Sequence, residues 1–154
     1  MKRERIELLK QNLLANLRKL EKAKNQLAKS YNSINFNFDS AEFSDAELEK
    51  FESLSARFAR TADILTQKVL KNFLIIIQED FKTFLDICDI SEKYNLTDSA
   101  EDLLNIRDLR NQIAHEYEED EINKVFREVS VYTPKLLQAI EKSSVKIQSE
   151  LDRI

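Results

Sequence analysis

Glycine is absent from the 154 residues, tryptophan is absent as well, and proline, cysteine and histidine occur once each. Without glycine there is no material for a Walker-type phosphate loop, a dinucleotide-binding turn or a series of tight two-residue hairpins. A single cysteine, Cys88, excludes an internal disulfide and sits in the apolar run Phe84, Leu85, Ile87, which marks it as a core residue. The longest uninterrupted apolar run, Phe73 to Ile77, is too short to cross a bilayer. The basic start MKRER leads into a mixed helix rather than a signal peptide, so a cytoplasmic protein is expected.

Positive charge is also in deficit. Lys and Arg number 24 against 28 Asp and Glu, a net charge of -4, which disfavours a general nucleic-acid binder but leaves room for a local anion site. What remains is helix-forming sequence, and the length suits one domain covering residues 1–154. The expected fold is all-α, an up-and-down antiparallel bundle of four to five helices plus a short one.

A narrow stripe of Ile6, Leu9, Leu13, Leu17, Leu20, Leu27 and Tyr31 predicts a long first helix over residues 1–31. Residues 32–44 read as a loop, and its Phe36, Phe38 and Phe43 are expected to dock on the bundle, because exposing all three is costly. The remaining bundle occupies 45–154. Ser44 and Glu47 have the spacing of a capping box. From there Leu48, Phe51, Leu54, Phe58, Ala62, Leu65, Val69, Phe73 and Ile76 predict a helix to about Gln78. Arg57 and Arg60 on that helix read as surface, with Asp63 a partner for Arg60. Residues 79–94 are either its continuation or a separate helix, with Asn95 and Leu96 breaking the pattern.

Thr97 or Asp98 is the expected cap of the next helix, which carries the stretch LLNIRDLRNQIAHEY, residues 103–117. Leu103, Ile106, Leu109, Ile113 and Ala114 form its expected buried face, with Arg110 and Tyr117 at the rim. Arg110 has Ile106, Arg107, Ile113 and Ala114 three and four positions away, and Arg107 has Leu103, Leu104, Arg110 and Asn111. Neither has a carboxylate at the three- or four-residue spacing along its own helix. Two readings follow: an anion site, because guanidinium groups match phosphate oxygens bidentately, or carboxylates supplied by another helix. His115, the only histidine, lies about 140° round the helix from Arg110, so convergence needs the helix to end near His115 or a second copy to complete the site. A break is expected around Tyr117 to Asp120, since Glu118 to Glu121 suit the start of a new helix. A short helix to about Ser130 then precedes a last helix capped by Thr133 and Pro134, with Leu137, Ile140, Ile147, Leu151 and Ile154 on its face.

The string RDLRNQIAHEY resembles the signature of HEPN domains, with Arg110, Asn111, His115 and Tyr117 at its four positions. The segment FESLSARFARTADILTQKVL resembles the HEPN branch of HepT-like toxins and nucleotidyltransferase substrate-binding proteins. Together they span most of residues 45–130. The resemblance implies a homodimer with facing motifs and, in the toxin branch, a metal-independent endoribonuclease neutralised by a nucleotidyltransferase antitoxin. It implies that Arg110 holds the scissile phosphate, His115 shuttles protons, Asn111 orients substrate or histidine, and Tyr117 accepts AMP from the antitoxin. Arg107 is the further candidate for substrate binding, RNA is the implied substrate, and neither cofactor nor metal is called for. The alternative is a non-catalytic subunit that binds a nucleotide or the nucleotidyltransferase. The acidic run beside the motif favours that alternative, and the complete motif favours the nuclease.

Overall fold

The computed structural model describes residues 2–36, 43–115 and 119–154, with the backbone alone at 119 and 120. It is an all-α bundle of five helical rods, with no strand among the described residues. The first rod, α1, spans Arg3–Asn32 and buries Leu13, Leu20, Ala23 and Leu27 along one stripe. The second starts with α2, Asp45–Asp63, where the Ser44 hydroxyl accepts from the Glu47 N–H and the Glu47 carboxylate accepts from the Ser44 N–H. It continues without interruption through a π-helical segment, Ile64–Leu70, into α3, Lys71–Ile76.

Rod two then stops, so residues 79–94 are not its extension. A chain without glycine must end its helices on other residues, and two of the described residues take the left-handed conformation: Gln78 at φ 60° and Asn95 at φ 59°. After α3 the Glu79 N–H reaches Leu74 O and the Gln78 N–H reaches Ile75 O. After the fourth helix, Leu96 reaches Ser91 O and Asn95 reaches Glu92 O, the same paired closure. That fourth helix, α4, is Phe84–Lys93, opened by a capping box between Thr83 and Asp86. Cys88 is fully buried within it, and burial pushes its thiol up to about 12.

The fifth element, α5, is Ala100–Ala114. Its cap is Ser99, whose hydroxyl accepts from the Asp102 N–H, rather than Thr97 or Asp98. Thr97 instead folds its hydroxyl against Ser99 in the approach, and the Asp98 carboxylate is turned to Lys142. Leu103, Ile106 and Leu109 are buried as expected. Ile113 is only half-buried and Ala114 is exposed, because the helix ends beyond the edge of the core.

The last helix corrects the expected division at Thr133 and Pro134. A single helix, α6, runs Glu119–Leu151 with Pro134 inside it. Pro134 lacks the N–H that would bond Ser130 O, a loss of about 3 kcal/mol in a helix interior. Against it stands one unbroken buried face of Val129, Thr133, Leu136, Ile140, Ser143, Ile147 and Leu151. Each large apolar member contributes about 1.5 to 3 kcal/mol, so continuity wins. The helix ends at Leu151, and Ile154 is exposed rather than part of the face.

Lys135 meets Asp102 at 3.2 Å and Lys142 meets Asp98, which runs α5 antiparallel to α6. Ser143 Oγ donates to Leu96 O at 2.5 Å and ties the two together at the α5 entry. At the opposite end Phe36 and Phe43 dock as expected. Phe51 and Phe126 stack at 4.7 Å, with Phe43 edge-on to Phe126 and Phe36 edge-on to Phe51. Phe38 lies outside the described residues. No described helix is long and apolar enough to cross a membrane.

Candidate functional site

Arg110 is not an unpartnered cation. Its Nε donates to Asp63 Oδ1 at 2.8 Å and its Nη2 to Asp63 Oδ2 at 3.0 Å, a bidentate pair between α5 and the end of α2. Asp63 was the expected partner of Arg60. The structure gives it to Arg110, because two parallel N–H donors fit both carboxylate oxygens at once, whereas an i, i+3 pair on an exposed face gains little. Of the two readings open at Arg110, the carboxylate from another helix is therefore present. That hydrogen-bonded carboxylate raises the guanidinium's pKa further. Arg110 Nη1 makes no hydrogen bond to any described residue.

Arg107 lies one turn back along α5 and is half-buried. Its guanidinium sits 5.1 Å from the centre of the Phe84 ring, and Nη1 is buried with no hydrogen-bond partner among the described residues. The ring lies within cation–π reach of the group. A buried donor left unmade costs about 1 to 3 kcal/mol, and this one is closed off from solvent.

These side chains share a cleft of about 690 Å³ between rod two and α5. Arg107, Arg110 and Asn111 line it from α5, and Arg60, Asp63, Ile64, Gln67 and Lys68 line it from rod two. The π-helical segment shapes the second wall. In α geometry a residue four positions on overshoots its starting direction by about 40°. Bonding from i to i+5 widens the turn, so four positions then fall short of a full circle. Arg60 to Ile64 enters the wide turn and Ile64 to Lys68 crosses it. The two errors have opposite sign, and the three residues face one cleft. Thr61 and Thr66 return their hydroxyls to Arg57 O and Ala62 O at 2.6 and 2.8 Å, engaging carbonyls beside the irregular turns.

Four of the cleft's lining residues are cationic and one is anionic. With Asp63 engaged by Arg110, the charges of Arg60, Lys68 and Arg107 meet no carboxylate among the described residues. Sequence reasoning set Arg60 aside as surface and passed over Gln67 and Lys68. Thr61/Ala62, Leu65/Thr66, Val69/Leu70 and Phe73/Leu74 are buried pairs at strict four-residue spacing, a pattern that only a widened turn keeps on one side. Arg57 is elsewhere, donating from Nη1 to Gln26 O at 3.3 Å in the groove between α1 and α2.

His115 is not in the cleft. It is the exposed C-cap of α5, extended at φ −93° and ψ 150°, with its N–H on Gln112 O at 3.1 Å. The helix thus ends immediately before the histidine, three residues earlier than the expected break, and the acidic residues 119–121 open α6. Tyr117 lies outside the described residues. Arg107, Arg110 and Asn111 are brought together and His115 is placed at the helix end beside them in sequence. No group of three His, Cys, Asp or Glu side chains suited to a metal occurs among the described residues. Comparison with family models, with curated proteins and with solved structures returns no match to this chain.

Proposed function

We propose that this chain is a HEPN-type toxin: a metal-independent endoribonuclease that acts as a homodimer and is held in check by a nucleotidyltransferase antitoxin. The observation that carries the reading is the cleft itself, where Arg107, Arg110 and Asn111 stand with two further cations in a chain of net charge -4. In this reading the 2'-oxygen of a ribose attacks the adjacent phosphorus, the bond to the 5'-oxygen breaks, and the products are a 2',3'-cyclic phosphate and a 5'-hydroxyl. One His115 accepts the 2'-hydroxyl proton, and the His115 of a second copy donates one to the leaving oxygen. Arg110, oriented by Asp63, meets the charge that develops on the phosphorane through Nη1. Asn111 orients the strand, and an AMP group on Tyr117 would bring a negative phosphate to the motif and block it.

The test is incubation of the purified chain with RNA in EDTA, beside His115→Ala and Arg110→Ala. Cleavage with cyclic-phosphate ends in wild type, reduced at least a hundredfold in both variants, is the expected result. Intact RNA in the wild-type lane ends the nuclease reading.

A second reading, a non-catalytic subunit that docks a nucleotide or the nucleotidyltransferase, draws on the closed Arg110–Asp63 pair, in which two of three guanidinium nitrogens are already occupied. It predicts nucleotide or partner binding by a chain that leaves RNA whole.

A further inference from the structure

We infer that the wall of the cleft contributed by rod two is a second phosphate site, in which Arg60, Lys68 and Arg107 hold a non-scissile phosphate of the bound strand next to the one at Arg110. The inference rests on the nuclease reading for its ligand class, and on separate residues for its site. Arg60 and Lys68 belong to no part of the motif, yet the wide turn puts both in the cleft that holds Arg107 and Asn111.

Charge and geometry agree on an anion. The Arg110–Asp63 pair is neutral as a unit, so the residual charge of the cleft is that of Arg60, Lys68 and Arg107. Three cations confined around one opening repel each other unless an anion enters, and a phosphate diester offers two free oxygens to meet them. Arg107 lines the same opening from α5, its guanidinium backed by the Phe84 ring 5.1 Å away. Gln67 adds an amide on the same wall. A cleft of about 690 Å³ has room for more than one phosphate and its sugar, whereas one scissile phosphate at Arg110 would leave these cations unused. A strand running from Arg110 across to Lys68 uses all of them.

The experiment is fluorescence anisotropy of the full-length chain with a short 2'-O-methylated oligoribonucleotide, which cannot be cleaved through the 2'-oxygen. Wild type is compared with Arg60→Gln, Lys68→Gln and Arg60→Lys across a salt series. Arg60 and Lys68 are exposed, so neither substitution should move the thermal midpoint. Each Gln variant is expected to weaken binding about three- to tenfold and to flatten the logarithmic salt slope by about 0.7 per lost phosphate contact. Arg60→Lys is expected to recover most of the salt slope. Unchanged affinity and slope in both Gln variants overturn the second phosphate site, whatever happens to RNA cleavage. Loss of cleavage with this binding pattern intact overturns the nuclease reading alone. An AMP competitor separates the sources of phosphate: full displacement of the strand by AMP at equal phosphate concentration shows a free-nucleotide site and overturns the strand assignment.

Discussion

If Asp63 holds Arg110 as the geometry indicates, the pair has a measurable coupling energy, and its size follows from its surroundings. The guanidinium and carboxylate meet at 2.8 and 3.0 Å, which puts their charge centres near 4 Å, where two unit charges attract by about 4 kcal/mol at an effective dielectric of 20. The side chains are 29% and 39% exposed, so solvent screening and the ordering of a long arginine remove most of that. A net coupling of about 1 kcal/mol remains, toward the upper end of surface pairs because the contact is bidentate. The assay is a double-mutant cycle of Arg110→Ala, Asp63→Ala and the double variant, followed by urea denaturation. In thermal terms 1 kcal/mol corresponds to about 2 to 4 °C for a chain of this size. A coupling below about 0.3 kcal/mol would show that Asp63 does not position Arg110. One above about 3 kcal/mol would mean a desolvated pair and contradict the open cleft.

Ser44→Ala removes the hydroxyl that starts α2 and is expected to cost about 1 kcal/mol in thermal unfolding followed by circular dichroism, with no effect at all refuting the cap. Pro134→Ala restores a donor for Ser130 O on the exposed side of α6 and is expected to raise stability by about 1 to 3 kcal/mol in urea titration; destabilisation would mean that the proline is required for the path of the helix. Cys88 is expected to resist thiol reagents at pH 8 in the native protein and to react only on unfolding, because its thiol is buried and shifted to about 12, so prompt stoichiometric labelling would contradict its burial. The Glu47 and Asp86 carboxylates are held below their usual 4.5 and 3.8 by backbone N–H groups of Ser44 and of Lys82 and Thr83. Their contribution is complete above those usual values and is lost as pH falls through the lowered ones, so Glu47→Gln should flatten part of the acid side of the stability profile.

Most of the bundle was legible because it depends on local signals. The stripe of α1, the Ser44–Glu47 cap and the break at Asn95 and Leu96 each speak through neighbouring residues. The unity of α6 was not legible, since Pro134 is a strong local stop and the face that overrides it is assembled from α1, rod two and α5. The same division runs through the site. Arg107, Arg110 and Asn111 share a helix, and their proximity could be read from spacing alone. Asp63 is 47 positions from Arg110 in sequence, and nothing local in either residue announces the other. Arg60 and Lys68 required the widened turn, whose trace in the sequence is the four-residue rhythm of buried pairs rather than any one residue.

That widened turn separates what the fold needs from what the cleft uses. Without Gln67 the buried pairs would step by four, three and four, an ordinary α rhythm, and the segments on either side would keep their faces. The surplus residue of rod two is therefore carried on the cleft wall, with the packed side indifferent to it. A single-residue deletion at Gln67 would return rod two to the α rhythm and narrow the opening with the buried pairs still on one side.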